Sequence, residues 1–355
     1  MKKLTCAILL LLFTYCASAQ NPATPQVIKG RVIDAQTRKP IGGATVYLNG
    51  TYVGASTDTL GNFSFTATLT GIPLEVSCVG YETQTINNYG DKDLVVALKY
   101  KVIRLSEITI KVDEMSREKK MKIFLREFIG LDIPDCTIRN PDDIWLHYNK
   151  KTSELAAGSD KPLLIYNKTL GYKITYFLDT FRYAENGTRG NETNYRGNYF
   201  FAEDTAGMKP REIKKILQAR DDAYYGSRMH FIRALWANQL SQNDYKIIEL
   251  TFNSPRLNVY DEKKSKKLSY EDVVGIKNDN IFHDQKYMTF KKEVAVLYQP
   301  RKRKAGDSYI KQKDGYLGIL IDSNGYFGEG IDWNGDMGHD RVGKLLPFEF
   351  QPVGK

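Results

Sequence analysis

The sequence predicts two domains. A β-sandwich spans residues 27–112, and an α+β domain with mainly antiparallel strands spans 114–355. Three observations predict this. The chain has 355 residues, 42% apolar and 26% charged, with 28 Gly and 12 Pro. That is ordinary globular composition, with length for about two cores of roughly 150 residues each. Short alternating runs separated by turn residues fill 27–112 with no sustained helical period. From residue 117 the period changes to that of a helix, and mixed elements follow.

The N-terminal residues read as an export signal over 1–19. Lys2 and Lys3 form a charged start, 7–13 is unbroken and apolar, and Ala17-Ser18-Ala19 supplies small residues for cleavage before Gln20. The apolar run is well short of the ~20 residues that span a bilayer. Bulky Tyr15 before Cys16 argues against lipid attachment. No later stretch is long and apolar enough for a membrane helix, so no transmembrane segment is expected in the mature chain. The expected location is the periplasm or the outer membrane, or outside the cell. Cleavage leaves Cys78 and Cys136. A bridge between them is permitted in an oxidising compartment. However, Cys78 alternates with Leu74 and Val76 in a strand-like run, which reads as a small buried hydrophobe.

Strands of the first domain are expected at 27–34, 44–48, 63–68, 74–81, 94–98 and 108–112, with turns at Asn49-Gly50 and Leu60-Gly61-Asn62. The run Gly30-Arg31-Val32-Ile33-Asp34, then Pro40-Ile41-Gly42-Gly43-Ala44-Thr45-Val46, then Thr57-Asp58, Gly61-Asn62-Phe63 and Val79-Gly80-Tyr81, resembles the carboxypeptidase regulatory-like domain. That resemblance implies a seven-stranded, transthyretin-like sandwich of the bacterial cell envelope. It is also similar to the extension before the plug of TonB-dependent transporters, and Leu105-Ser106-Glu107-Ile108 is similar to the segment closing that extension.

The regulatory-like domain is not the catalytic part of a carboxypeptidase. A zinc peptidase needs His and Glu three apart plus a distant His, leaving one position open for water. None of the four histidines, His147, His230, His283 and His339, is followed by Glu at that spacing. The chain is therefore not expected to be a metallocarboxypeptidase, and no metal or cofactor is expected.

In the second domain, Met121, Phe124, Leu125, Phe128 and Ile129 form one helical stripe over 117–129. Strands are expected at 144–148, 163–166, 172–178, 199–201, 246–252, 292–298 and 316–322. Helices are expected from Pro210, which suits a first turn, and over 227–240. Cys136, Asn140-Pro141, Pro162-Leu163, Asn167, Leu170-Gly171-Tyr172, Tyr225-Gly226-Ser227, His230-Phe231, Arg233-Ala234-Leu235 and Leu345-Leu346-Pro347 resemble an uncharacterised block that accompanies the regulatory-like domain. This resemblance brings no reaction with it.

Candidate sites divide by chemistry. Asp332, Asn334 and Asp336 take the first places of a calcium loop, but Met337 stands where Gly is needed and Gly343 where Glu is needed. Ser227, His230 and nearby Asp221 and Asp222 permit a nucleophile. Yet Ser227 precedes an apolar-periodic run as an N-cap does, and no Gly-x-Ser-x-Gly elbow is present. On a helix His230 and Arg233 fall opposite the stripe of Met229, Phe231, Ile232 and Leu235. Ser227, His230 and Arg233 are thus the candidate binding surface, or that face packs on another element and His230 makes a structural hydrogen bond. The net charge is +9, and the basic runs 263–267 and 301–304 read as solvated loops. Nucleic acid is not an expected partner for an exported chain. The leading expectation is a non-catalytic envelope module that binds a protein or a glycan. The alternatives are a hydrolase at Ser227 and His230, or an accessory to an outer-membrane transporter.

Overall fold

The computed structural model describes residues 25–69, 71–90, 92–101, 115–131, 133, 135–185, 191–250, 265–277 and 285–353. The expected signal segment, the strand at 108–112, the boundary between the two expected domains, Lys263, Lys264 and His283 lie outside those residues.

The N-terminal region is mostly β. Strands β1 (Gln26–Asp34), β4 (Asn62–Ala67) and β7 (Leu94–Leu98) form one sheet in the order β4-β1-β7. Strands β2 (Thr45–Leu48), β3 (Gly54–Ser56), β5 (Leu74–Ser77) and β6 (Gln84–Ile86) form a second, ordered β3-β2-β5-β6. Alternation decides the faces. In β1, Ile28 and Val32 point inward and meet Val46, Leu74, Val76, Val96 and Leu98 in one dry core. Strands β1 and β4 pair antiparallel, whereas β1 and β7 pair parallel. Tyr47 and Glu75 break the alternation, being buried although they point away from this core. The reason is the second region, which covers them.

That region begins with helix α1 (Arg117–Phe128), capped by Ser116. A six-stranded antiparallel sheet follows. It comprises β8 (Cys136–Ile138), β9 (Ile144–Asn149), β10 (Glu154–Ser159), β11 (Leu163–Asn167), β12 (Tyr172–Glu185) and β13 (Asn191–Glu203), ordered β8-β11-β12-β10-β9 with β13 along β12. The strands expected at 172–178 and 199–201 are much longer than their apolar runs suggest. The outer half of β12 is held between β13 and β10, and past the bulge at Leu178/Thr180 it carries the inward-facing Phe181 and Tyr183. One sheet face packs on α1, where Phe124 and Phe128 meet Tyr176 and Phe181.

Helices α2 (Pro210–Tyr224) and α3 (Arg228–Trp236) come next. Helix α3 ends before residue 240 because Asn238 takes a left-handed conformation, φ 54°. The chain then builds two smaller antiparallel sheets. One is β14 (Tyr245–Glu249), β17 (Val294–Tyr298), β18 (Gly306–Gln312) and β20 (Ile331–Gly335), ordered β14-β17-β18-β20. The short helix α4 (Tyr270–Val273) leads into the other, β15 (Val274–Lys277), β16 (Gln285–Met288) and β19 (Ile319–Ile321), ordered β15-β16-β19. Phe231, Ile232 and Leu235 enter the core of these sheets, while Met229 enters that of the first sheet. The apolar stripe of helix α3 is therefore divided between two cores rather than entering one.

Cys78 and Cys136 are both free thiols and both half-buried, so no bridge joins the two regions. Cys78 is less buried than its strand-like run implies, because β5 ends at Ser77. The basic loop 301–304 is not purely solvated either. Arg303 pairs with Asp222 at 2.9 Å and lies 4.0 Å from the Tyr225 ring centre.

The two regions are joined by main chain as well as by side chains. Strand β13 is a sheet edge, whose unpaired groups need a partner. The turn after β2 supplies it: Gly50 N donates to Tyr199 O (2.7 Å), and Phe201 N donates to Thr51 O (2.9 Å). Tyr47 stacks on Phe177 and tilts against Phe200 on the outer sheet face. Tyr52 Oη donates to Glu203, which also takes Arg220 at 2.6 Å. The C-terminal segment seals the joint. Phe348 N donates to Gly50 O, and the Phe348 ring lies where a Cβ at Gly50, φ +73°, would stand 2.6 Å away. Glycine is required there on both counts.

Candidate functional site

Ser227, His230 and Arg233 sit at the junction of α2, α3 and the C-terminal segment. Ser227 Oγ accepts from the backbone N–H of His230 at 3.2 Å and so caps α3. His230 is 2% exposed. Its Nδ1 accepts from Gly226 N (3.2 Å) and lies 3.0 Å from the Tyr245 hydroxyl. Because an N–H points at Nδ1, the proton of the neutral ring belongs on Nε2, which faces Asn243 Oδ1 at 3.3 Å. The rings of Tyr224, Tyr225, Tyr245 and Tyr298 surround it. Arg233 spans three carbonyls: Nε donates to Asn324 O (2.9 Å), Nη1 to Phe350 O (2.9 Å) and Nη2 to Phe348 O (3.0 Å).

The three residues are thus close in space, and each contact above is to the protein's own chain. Ser227→Ala is expected to cost about 1 kcal/mol through the lost cap. Urea unfolding of the variant beside wild type measures it, and an unchanged midpoint would remove the capping role.

Other residues fasten main chain in the same way. Buried Asn167 Nδ2 donates to Gly343 O at 2.7 Å, and Arg220 Nε donates to Leu170 O at 2.7 Å. Asn140 Nδ2 donates to Pro162 O while its Oδ1 accepts from Leu164 N. The calcium-like residues go elsewhere. Asp332 and Asn334 lie in strand β20, Asp332 pairs with Lys313, and Asp336 accepts from Asp307 N. Among the described residues no three His, Cys, Asp or Glu side chains are grouped to hold a metal ion.

A different surface has the form of a recognition site. The outer face of the six-stranded sheet is half covered. The β-rich region sits on its β12–β13 end through Tyr47, Phe177 and Phe200, and among the described residues the β9–β10 end stays open. Trp145 stands there, 50% exposed. It is paired in register with Gly158 on β10. A Cβ at Gly158 would lie 2.5–2.9 Å from three atoms of the indole, so the ring is laid against a bare backbone. His147 and Ala156 pair beside it, and Ala156 pairs with Arg182 on the next strand. At the margin, Lys101 of the β-rich region meets Asp160 at 3.5 Å. Tyr100, next in chain to Lys101, is 66% exposed. Trp145 is not among the residues that sequence reasoning singled out. The available signal is an outward-facing tryptophan in a strand whose other face is apolar.

This arrangement brings together a flat aromatic surface and paired polar groups of both signs at the joint between two regions. The region that contributes Lys101 and Tyr100 can be placed.

Residues 28–110 match the family model of the CarboxypepD_reg-like domain. The matched residues include Lys101, which pairs with Asp160 at the margin of the open sheet face. A solved structure from Bacteroides fragilis, of a protein suggested to be membrane-associated and of unknown function, aligns over 88% of this chain and 95% of its own. The identity is 12% and the TM-score 0.18. A TM-score that low assigns neither a shared fold nor a role. No curated protein shows a match to the chain. Among the described residues, no helix is long and apolar enough to cross a membrane.

Proposed function

We propose that this chain is an exported, non-catalytic module of the cell envelope that binds a glycan on the open β9–β10 sheet face. The regulatory-like domain is read as a transthyretin-like sandwich that walls the face. The observation that carries the reading is Trp145, half exposed and laid flat against Gly158 beside the inter-domain Lys101–Asp160 pair. A sugar ring presents an apolar C–H face and a rim of hydroxyls. A fixed indole takes the first by dispersion and by its polarisable π-face. Carboxylate, ammonium, guanidinium and imidazole groups take the second as acceptors and donors. Ala156 and Gly158 keep the sheet low around the indole, so a chain of sugars can lie flat. Export rests on residues 1–19, whose charged, apolar and small-residue segments come in the order that the secretion machinery reads.

The test is titration of the mature chain with soluble peptidoglycan and capsule oligosaccharides, read by tryptophan fluorescence. Of the three tryptophans, Trp145 is the exposed one of the open face, so binding should shift the emission to the blue. Trp145→Ala should weaken binding by about 5- to 30-fold, as loss of one stacked ring costs about 1–2 kcal/mol. Equal binding by wild type and variant, or no binding across the panel, sinks the reading.

A further inference from the structure

We infer, resting on the glycan reading of the open sheet face, that its ligand is acidic, with Arg182 taking a carboxylate on one sugar ring while Trp145 stacks against another.

Register places the groups. Side chains alternate along a strand, so Trp145, His147 and Asn149 of β9 point to the outer face in turn. Their partners on β10 are Gly158, Ala156 and Glu154. The middle row continues onto β12 and β13, where Ala156 pairs with Arg182 and Arg182 with Asn194. The outer face therefore carries a row of His147, Ala156, Arg182 and Asn194, one step along the strands from the indole. A strand spacing of about 4.8 Å and a rise of about 3.4 Å per residue put the Cα atoms of Trp145 and Arg182 roughly 12 Å apart. Gly158 and Ala156, on the strand between them, are too small to interrupt a ligand laid across it. Arg182 is exposed. Its long side chain covers part of the span, so indole and guanidinium can meet different rings of one oligosaccharide.

Two other cations of this face are already engaged. Lys101 is held by Asp160 at 3.5 Å, and Arg196 by Asp179 at 3.8 Å. Arg182 stands in register with Ala156 and Asn194, neither of which carries a charge. The acids Glu154 and Glu192 lie in the row beyond, with Asn149 and Ala184. Glu154 there accepts from Thr152 Oγ1 at 2.9 Å. A ligand seated on Trp145 thus meets the row of His147 and Arg182 before it meets those acids. An exposed arginine alone is an ordinary solvated side chain. This one is flanked in its row by an imidazole and an amide, each able to donate to an oxygen. Its planar fork matches a carboxylate through two parallel N–H bonds, a fit that a neutral hydroxyl rim does not use.

Calorimetric titration of the full mature chain tests this with an oligogalacturonate beside its methyl ester, which keeps rings and hydroxyls but removes the charge. The acid is expected to bind about tenfold more tightly than the ester, and added salt should narrow the gap. Arg182→Gln should weaken binding of the acid about tenfold and leave the ester unchanged. Trp145→Ala should weaken both. The ester control needs no variant, so a misfolded mutant does not decide the outcome. An ester bound as tightly as the acid, or wild-type binding of the acid by Arg182→Gln, overturns the acidic assignment and leaves the sheet-face reading standing. Failure of the acid to bind overturns it too. If a capsule oligosaccharide then still binds through Trp145, the sheet-face reading survives, whereas silence across the whole panel removes both.

Discussion

Arg233→Ala is expected to lower the unfolding free energy by about 3–5 kcal/mol, several times the cost of losing the Ser227 cap. Three carbonyls, those of Asn324, Phe348 and Phe350, lose a charged donor at once. Each such bond contributes about 1.5–3 kcal/mol, less than additively when one side chain makes all three. Phe348 also holds Gly50 of the regulatory-like domain through N–H to carbonyl contact and ring packing. The loss should therefore reach the joint between domains and make the C-terminal segment sensitive to protease. Arg233→Lys should recover little, because an ammonium cannot span three carbonyls in one plane. Urea unfolding and limited proteolysis of both variants check this. A wild-type midpoint for Arg233→Ala would show that the segment is held by packing alone.

Glu75→Gln is expected to stabilise the protein by about 3 kcal/mol near pH 8 and by almost nothing near pH 4. Glu75 is 2% exposed and accepts from Thr85 Oγ1 at 2.9 Å. Burial pushes its carboxyl from the usual 4.5 up to about 7, with the charge of Asp179 across the joint adding to the rise. A carboxyl raised in the folded state favours the fold while it is protonated. The favourable balance is complete below about pH 4.5 and is lost as pH rises through about 7. Buried Asp322, raised to about 6, acts in the same direction. Wild type should accordingly lose stability between about pH 5 and pH 8, and the Gln variant should lose less. Carboxylates held below their usual range by ion pairs and hydrogen bonds, such as Glu127 and Asp143, act at lower pH and leave this window clear. Parallel pH–stability curves for the two proteins would overturn the assignment.

Local chemistry was legible in the sequence, and long-range pairing was not. Ser227 was readable as a cap because a cap acts within one helical turn. The partners of His230 lie at Tyr245 and Asn243, on elements that follow α3. Those of Arg233 lie near residues 324 and 350, and no periodicity of α3 points to them. Helical spacing did place His230 and Arg233 off the apolar stripe. It could not say that two cores would enclose the helix on both sides. Strands β12 and β13 show the same limit. Their inner segments have unbroken apolar alternation and are expected, whereas beyond them a bulge at Leu178/Thr180 interrupts the alternation of β12 before Phe181 and Tyr183 resume it.

By itself the sequence determined the mostly-β start, the change to mixed helix and strand after residue 117, and most elements in between. These depend on periods of 2 and 3.6 residues, and on turn residues whose backbone preferences are local. It also determined the missing His and Glu spacing of a zinc peptidase. Only the tertiary structure decided which polar residues face solvent, which fasten main chain, and where the open surfaces lie. Trp145 becomes a platform because Gly158, on the neighbouring strand, has no side chain. Glu127 holds Arg341, which arrives from more than two hundred residues away. Such meetings depend on which distant segments pack together, and burial and charge pairing set their energies only after they have met.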